Sequence, residues 1–339
     1  MSAQFRLPDT LATWPWPREI NPYYDEVMAE SSEWFRSFHA FSEKAQRAFD
    51  LCDFSRLASL AYPALTREQL RTGCDLMNVF FVFDEYTDNE PVDVVKQIAE
   101  ISMDALRNPH KARPAGENVV GEITRQYWER GILTATPTAQ RRFIGTWERF
   151  TASVIRQAED RSQNHIRTIP EYLALRRYTI GGEPSYAMLE LGLNIPDEAF
   201  YHPTMVELTW VVTDMIIVGN DIFSYNKEQA AGDDMHNIVT IAMNDLQTDI
   251  YGAMEWIDGF HRELVERFFD LWAKLQELSW GPEVDQEVPE YARGLAGWVR
   301  ANDCWSFESG RYFGTKGLDI QKHRMVTLLP KSKGAEDTV

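Results

Sequence analysis

The sequence predicts an all-α protein, built as a single domain of about ten helices. Helix-start signals recur along the chain, whereas runs of alternating β-branched residues bounded by turn signals are scarce. Hydrophobic residues make up 44% of the chain and aromatic residues 12%, which is enough apolar material for a sizeable core. The sequence has no internal repeat, low-complexity block or long linker. One large domain is therefore the simplest organisation for the 339 residues.

The first helices follow from local start signals. Pro22 after Asn21 predicts that a helix begins there, because proline is favoured at the first helical position and asparagine at the cap. Thr66 and Gln69 belong to a capping-box pattern, in which each side chain satisfies a backbone N–H of the other. We expect this pattern to open a helix that runs towards Asp88.

The later helices are marked by prolines near their first turns. The helix that starts at Ile169 should be interrupted at Gly181-Gly182, because paired glycines break helices. We expect the next helix to run to about Glu228 and the last helix to end near Tyr312. The predicted starts are Thr136-Pro137, Ile169-Pro170, Pro203-Thr204 and Pro289.

The two ends of the chain are predicted to differ from the helical domain between them. Residues 1–20 carry three prolines and are expected to be irregular, residues 21–330 to form the domain, and residues 331–339 to form a flexible charged tail. The N-terminus lacks the apolar stretch of a signal peptide, and no apolar run approaches the ~18 residues that a membrane span needs. These features predict a cytoplasmic protein without a membrane span.

Charge and cysteine content exclude several classes of function. The formal net charge is −18, which should repel nucleic acids and anionic membrane surfaces. If the ligand is itself an anion, bound divalent cations are the usual way to reverse the local field. The three cysteines, Cys52, Cys74 and Cys304, are too few and too widely spaced for a disulfide framework or a zinc site.

An acidic motif follows the most apolar stretch of the predicted helix that ends near Asp88. The stretch 76–83 is apolar on nearly all sides, so it should be buried, and it leads directly into Asp84, Glu85 and Asp88. Buried carboxylates need a cation, and Asp84 and Asp88 share one helix face at i, i+4 spacing. Mg²⁺ suits such a pair, since it takes its other ligands from water and from substrate phosphates.

A second set of oxygen ligands is predicted on the helix that starts at Pro203. Asn220, Ser224 and Glu228 are spaced i, i+4, i+8 and form one stripe, while Asp221 points about a quarter turn away. Amide, hydroxyl and carboxylate oxygens are all ligands that Mg²⁺ accepts. Alone, the stripe is better explained as an ordinary amphipathic face. Together with Asp84 it indicates two metal-binding stripes facing each other across a cavity.

Basic and aromatic residues near these stripes could bind a diphosphate and a carbocation. Guanidinium groups bind phosphate in a bidentate manner, lysine acts as a point charge, and aromatic faces stabilise cations. Singly, each of the basic residues is better explained as a solvated surface group, and each of the aromatic residues as a core side chain. The candidates are Arg176, Arg177, Lys227, Arg311 and Tyr312 for the diphosphate, and Phe80 and Trp305 for the cation.

In combination, these motifs resemble those of class I terpene synthases over essentially the whole chain. The sequence from Asp84 to Asp88 looks like their aspartate-rich motif, and the sequence from Asn220 to Glu228 fills every position of their second metal motif in its microbial form, N-D-x-x-S-x-x-K-E. The remaining matches are Arg177, Ile180 and Gly181, which have the spacing of a pyrophosphate sensor, linker and effector, and Trp305 with Arg311-Tyr312, which resembles the C-terminal signature.

The resemblance implies a fold, a cofactor and roles for these residues. The fold would be the single-domain class I terpenoid synthase helical bundle around a central active-site cavity, and the cofactor would be three Mg²⁺ ions. Asp84 would bind two of the ions with the help of Asp88. The third ion would be held by Asn220, Ser224 and Glu228. The prenyl diphosphate substrate would be bound by Arg177, Lys227, Arg311 and Tyr312, with Gly181 and Asn220 beside it.

The likeness extends to mushroom sesquiterpene synthases, in particular the group with Δ6-protoilludene synthases. It implies a lyase of fungal secondary metabolism that ionises farnesyl diphosphate and cyclises the cation to a hydrocarbon. Three alternatives remain open: early capture of the cation by water to give nerolidol or linalool, a chain-elongating prenyltransferase, and a non-catalytic helical interaction protein. The second aspartate-rich motif of prenyltransferases is missing, because Asp233-Asp234 lack a further aspartate at the right spacing. The oligomeric state is not predictable from the sequence.

Overall fold

The computed structural model describes residues 4–331, and most of these residues lie in α-helices. The all-α prediction is confirmed. No described helix is long and apolar enough to cross a bilayer. Two 3₁₀ turns, Ala187–Glu190 and Gly314–Lys316, and two short strands complete the secondary structure. The elements are β1 Gln4–Arg6, α1 Tyr24–Arg36, α2 Glu43–Leu51, α3 Phe54–Ala61, α4 Arg67–Thr87, α5 Val92–Arg107, α6 Val119–Gly131, α7 Pro137–Ser162, α8 Ile169–Thr179, α9 Gly182–Tyr186, α10 Asp197–Phe200, α11 Pro203–Ala231, α12 Ile238–Asp245, α13 Ile250–Gln276, α14 Val284–Glu308, α15 Gly317–His323 and β2 Met325–Thr327.

Most predicted helix starts are confirmed. The capping box that opens α4 is formed in full, because the Thr66 hydroxyl accepts from the Gln69 N–H while the Gln69 side chain accepts from the Thr66 N–H at 3.1 Å. Helices α7, α8 and α11 begin at the predicted residues. The predicted break is also present, since Gly181 adopts a left-handed φ of 72° between α8 and α9.

The predicted start of α1 was wrong by two residues, since the helix begins at Tyr24. Asn21 is buried, and its side-chain amide donates to the carbonyls of Tyr62 at 2.8 Å and Leu65 at 2.9 Å. The amide N–H groups therefore satisfy carbonyls between α3 and α4, while the amide oxygen accepts from the N–H of Tyr23, just before α1, at 3.1 Å.

The predicted limits of the last long helix were wrong at both ends. Pro289 lies inside α14, in its second turn, and the helix ends at Glu308. The chain turns away there because the Gly310 N–H donates to the carbonyl of Leu51 at 2.9 Å. Side chains after Glu308 are therefore placed by a loop rather than by helical periodicity.

The N-terminal segment, expected to be irregular, contains a strand. Strand β1 pairs antiparallel with β2, with Gln4 opposite Thr327. Phe5 and Trp14 of this segment are buried in the core, which explains why the segment packs against the domain. Apart from Lys331, the predicted C-terminal tail lies outside the described residues.

Two long helices, α4 and α11, carry the predicted metal motifs at their C-terminal ends. Helix α4 packs against α1, α3, α5 and α6, and α11 packs against α8, α12, α13 and α14. Within α4, the fully buried carboxylate of Asp75 accepts hydrogen bonds from Ser31 at 2.6 Å and Arg71 at 2.8 Å, and Arg130 donates to its other oxygen. These bonds fix α4 to its neighbours and compensate the buried charge.

Candidate active site

The acidic motif lies where α4 ends. Asp84 is in the last turn and Asp88 is the C-cap residue, and both side chains are half-buried. Burial raises the pKa of Asp84, and burial together with the negative charges of Asp84 and Asp233 raises the pKa of Asp88 to about 8. The positive charges of Arg311 and Arg176 oppose the shift at Asp84.

The surroundings of this acidic pair differ from those of Asp75. Asp75 accepts hydrogen bonds from three side chains, whereas among residues 4–331 no group donates a hydrogen bond to the side chain of Asp84 or Asp88. In this part of the chain, no three His, Cys, Asp or Glu side chains already surround one point. Half-buried carboxylates whose oxygens accept no hydrogen bond from the protein fit a divalent cation that takes its other ligands from water and a substrate phosphate.

The second stripe is formed on α11 as predicted by its spacing. Ser224 is buried, and Glu228 lies one turn later on the same face. The side chain of Asn237 links them, donating to Ser224 Oγ at 3.2 Å and to Glu228 Oε2 at 2.9 Å. Burial, with the charge of Asp221, raises the pKa of Glu228 to about 7. The stripe thus presents hydroxyl and carboxylate oxygens in preset positions.

Asp221 belongs to the support of this stripe rather than to the stripe itself. Its carboxylate accepts hydrogen bonds from the Ile238 N–H at 2.8 Å, from Arg176 at 2.9 Å and from the hydroxyl of Tyr172. Since protein donors already occupy both oxygens, Asp221 is suited to holding α8 and α12 against α11. This agrees with its predicted orientation, a quarter turn away from Asn220.

The structure brings Arg176, and not Arg177, to the metal motifs. Arg176 donates to Asn220 Oδ1 at 2.8 Å, whereas Arg177 forms a bidentate ion pair with Asp214 at 2.7 and 2.8 Å. The expectation for Arg177 rested on its i, i+4 relation to Gly181. Arg177 and Gly181 do not lie on the same face of one helix, because α8 ends before Gly181, which adopts a left-handed conformation. Arg177 is therefore directed away from the stripe.

Gly181 connects the helix break to the acidic helix. A Cβ atom at this position would lie 2.8 Å from a ring carbon of Phe80, and the positive φ would strain any other residue. The ring of Phe80 packs against Trp147 and Phe150, with ring centroids 4.9 and 5.1 Å apart. Since Phe80 lies one turn before Asp84, a movement of the chain at Gly181 would displace a side chain close to the acidic motif.

The loop after α14 brings Arg311 and Tyr312 to the same region. The guanidinium of Arg311 lies 4.9 Å from the centre of the Phe81 ring, and its charge acts on Asp84. Tyr312 accepts a hydrogen bond on its hydroxyl from the side chain of Asn220 at 2.9 Å. One loop therefore contacts α4 through Arg311 and α11 through Tyr312.

Trp305 and Lys227 are placed differently from these residues. Trp305 is buried, and its indole N–H donates to the backbone carbonyl of Cys52 at 2.8 Å, so the ring fixes the loop between α2 and α3. Its ring also packs against Tyr312, with centroids 5.7 Å apart. Lys227 is exposed, and among the described residues no carboxylate lies within ion-pair distance of it.

Asn237 and Asp233 complete the site and were not singled out from the sequence. Asn237 caps α12 by accepting from the Val239 N–H at 3.0 Å, and Asp233 adds negative charge near Asp84 and Asp88. The signal for Asn237 was a cap residue directly before the apolar run 238–242. Asp233 had no such signal, because the loop that carries it is placed by tertiary contacts.

A large cavity of about 870 Å³ lies away from these residues. It is lined by Leu60 at the end of α3, Leu65 in the following loop and Gln69 at the beginning of α4, together with Leu189 and Gly294. Gln69 and Asp84 are separated by about 22 Å along the helix, given a rise of ~1.5 Å per residue. The metal motifs are therefore at the opposite end of α4 from this cavity.

Comparisons with known proteins agree with the motifs. The family model for terpene synthase family 2, C-terminal metal binding, matches residues 75–267. Sesquiterpene synthase 14 of Postia placenta is 57% identical over 327 residues, which cover 96% of this chain and 93% of that protein. A Δ6-protoilludene synthase of the same fungus is 54% identical with the same coverage, and that of Armillaria gallica is 52% identical over 99% of this chain and 97% of the relative.

Solved structures share the fold. Germacradien-4-ol synthase from Streptomyces citricolor superposes with a TM-score of 0.74 at 25% identity, covering 86% of this chain and 98% of that one. Hedycaryol synthase in complex with HEPES gives a TM-score of 0.77 at 19% identity, covering 89% and 98%. The predicted class I terpenoid synthase bundle is thereby confirmed. With a family model matching more than half of its length and relatives above 50% identity, the chain belongs to the terpene synthases, a family of metal-binding enzymes.

Proposed function

We propose that this protein is a sesquiterpene synthase that ionises farnesyl diphosphate with the help of Mg²⁺ and cyclises the cation to a hydrocarbon with a protoilludene-type skeleton. The product class is the one in the names of its relatives of 50–57% identity, and farnesyl diphosphate is the substrate that the resemblance implies. The observation that carries the proposal is the meeting of Asn220 with Arg176 and Tyr312 beside an acidic pair that lacks protein donors. A non-catalytic interaction protein would not need this arrangement.

Two groups of oxygen ligands fit divalent cations, for which the resemblance implies three Mg²⁺ ions. Asp84 and Asp88 offer free carboxylate oxygens, and Asn220, Ser224 and Glu228 offer one amide, one hydroxyl and one carboxylate oxygen. All five are hard oxygen ligands of the kind that Mg²⁺ prefers. Bound cations would supply Lewis-acid stabilisation of the negative charge that develops on the departing diphosphate. They would also offset the high negative charge of the chain around its anionic substrate.

Basic donors would bind the diphosphate directly. Arg176 and Arg311 have planar guanidinium groups that suit bidentate contacts with phosphate oxygens, and the Tyr312 hydroxyl can donate a further hydrogen bond. Lys227 is two turns from Asn220 on the same helix face and would act as a flexible point charge at the rim. In the protein alone, Arg176 is held by Asn220 and Asp221, so substrate binding would exchange at least one of these contacts.

Aromatic side chains near Asp84 would protect the cation from water and stabilise it. Phe80 is buried, contacts the helix break at Gly181, and belongs to a cluster with Trp147 and Phe150. An aromatic face stabilises a desolvated cation by about 0.5–2 kcal/mol. We assign this role to Phe80. The backbone-bound, buried ring of Trp305 supports the site from behind.

The acidic motif is tested by replacing Asp84 with asparagine, which keeps the shape but removes a charged ligand. We expect turnover of farnesyl diphosphate at saturating Mg²⁺ to fall by at least about 10²-fold, as is typical for the loss of one element of preorganised charge stabilisation. Glu85→Gln is the matched control, because Glu85 is exposed in the same motif and its replacement should change turnover little. Near-normal turnover in Asp84→Asn removes this residue from the metal site.

Arg176 and Arg177 are compared through their lysine variants. Because only Arg176 contacts Asn220, we expect Arg176→Lys to reduce kcat/KM by at least about tenfold more than Arg177→Lys, through loss of the planar fork. Thermal unfolding without ligand should be measured for both, since Arg177→Lys weakens a structural ion pair with Asp214. A larger catalytic loss in Arg177→Lys, at equal stability, would restore the assignment made from the sequence.

The product is tested by incubating purified protein with farnesyl diphosphate and Mg²⁺ and analysing the volatiles by gas chromatography and mass spectrometry. We expect a cyclic hydrocarbon as the major product, because a closed, dry site lets the cation survive until its distal double bond attacks. A major tertiary alcohol with oxygen from ¹⁸O-labelled water would overturn cyclisation while keeping ionisation. A longer diphosphate would indicate chain elongation, and unchanged substrate would contradict the proposed function.

A further inference from the structure

The far side of the second metal motif is covered by both ends of the chain. Asn220, Ser224 and Glu228 occupy one face of α11, and Tyr225, Asn226 and Gln229 lie on the opposite face. That face contacts what we call the terminal ribbon, which consists of β1, β2 and the two residues after β2, Leu328 and Leu329. The side chains on this face, which are not candidate metal ligands, therefore have a structural role.

Two side-chain amides join the helix to the ribbon. Asn226 donates to the carbonyl of Thr327 at 3.0 Å and accepts from the Leu329 N–H at 2.9 Å. Gln229 donates to the carbonyl of Leu329 at 2.9 Å. The Asn226 amide thus pairs with the backbone as the edge of a neighbouring strand would, and this pairing fixes the position of the ribbon along the helix.

Apolar contacts and the strand pairing make the ribbon a firm support. Phe5 of β1 is buried and meets the ring of Tyr225 edge-on, with centroids 6.1 Å apart. Val326 of β2 is also buried, and it is paired with Phe5 across the two strands. The hydroxyl of Tyr251 on α13 donates to the carbonyl of Gln4 at 3.0 Å, so the ribbon is anchored outside α11 as well.

The supported segment is the C-terminal part of α11, residues 224–231, before Gly232 ends the helix in a left-handed conformation with φ 79°. The ends of helices fray more readily than their middles, because their last carbonyls have no partner within the helix. Glu228 lies in the last turn, and its carbonyl accepts from the Asp233 N–H at 3.0 Å, beyond the helix end. Asn237 restrains Glu228 on the site side, and the ribbon restrains the backbone on the other side.

We propose that the terminal ribbon is a positioning element for the second metal motif, acting through Asn226 and Gln229 on the turn that carries Ser224 and Glu228. The proposal rests on the proposed function, which assigns Ser224 and Glu228 as cation ligands. Groups that orient metal ligands from outside the coordination shell commonly change metal affinity by about 10- to 100-fold when they are removed. Neither end of the chain needs to touch the substrate for this role.

The test measures cation binding directly rather than turnover. Mn²⁺, a hard divalent cation with a readable electron paramagnetic resonance signal, is titrated into the protein in the presence of inorganic diphosphate. In the double variant Asn226→Ala with Gln229→Ala, we expect the half-saturating Mn²⁺ concentration of the weakest site to rise at least about tenfold. Glu207→Gln is the matched control, because it weakens an ion pair of the same helix with Arg267, about six turns from Glu228, and should bind Mn²⁺ as the wild type does.

A second variant leaves the sequence of α11 unchanged. Leu329→Pro removes the backbone N–H that donates to Asn226, at a residue that is 49% exposed, so the fold should tolerate it. We expect Mn²⁺ binding to weaken in the same direction as in the double variant. Amide hydrogen exchange in residues 222–231 should become faster in both variants, which reports release of the turn.

Two results would count against the proposal in different ways. Mn²⁺ binding equal to that of the wild type, in a folded variant whose residues 222–231 exchange faster, overturns the positioning role while the proposed function stands. Absence of Mn²⁺ binding in the wild type with inorganic diphosphate contradicts the metal site itself, and with it both the proposed function and this inference.

Discussion

Two half-buried carboxylates at the end of α4, without a protein donor to either side chain among the described residues, are the constraint on which the rest of the site depends. Withdrawing a carboxylate from water costs several kcal/mol unless an opposite charge or hydrogen bonds replace the water. Three side chains donate hydrogen bonds to Asp75, whereas none donates to Asp84 or Asp88, where burial and neighbouring negative charges raise the pKa values of both carboxyl groups. A cation with an anionic substrate completes such a site.

The neighbouring elements surround these two carboxylates with further polar and charged side chains. Helix α11 brings a second group of oxygen ligands, α8 brings Arg176, and the loop after α14 brings Arg311 and Tyr312. Each of these elements is fixed by contacts that do not involve a ligand: Asp221 ties α8 and α12 to α11, Trp305 holds the α2–α3 loop, and the terminal ribbon covers the back of α11. The bundle thus brings oxygen atoms and positive charges together in positions that suit the proposed binding of metal and diphosphate.

Much of this arrangement could be predicted from the sequence, because its signals are local. The capping box of α4, the proline starts of α7, α8 and α11, and the spacing of Asn220, Ser224 and Glu228 depend only on helical geometry. The choice between Arg176 and Arg177 could not be made in this way. Two features of the structure decide between them. Helical periodicity ends at Gly181, and Arg177 forms an ion pair with Asp214, away from the metal motifs.

Long-range contacts were the other limit of prediction. The pairing of Gln4 with Thr327 joins residues at opposite ends of the chain, and strands of three residues give almost no pattern in a sequence. Pro289 misplaced the start of α14 because a proline can also lie inside an early turn when neighbouring contacts hold the helix. Arg311 and Tyr312 were recognised by their spacing, yet their placement depends on the Gly310 contact with Leu51.

We infer that the acidic pair requires a divalent cation together with an anionic ligand. Thermal unfolding of the protein should be measured with Mg²⁺ alone, with inorganic diphosphate alone and with both. We expect a clear rise in Tm only with both, since a ligand at a hundred times its Kd stabilises the folded state by about 2.7 kcal/mol, and we expect Asp84→Asn to abolish that rise. An equal rise with diphosphate alone, or an undiminished rise in Asp84→Asn, would contradict it.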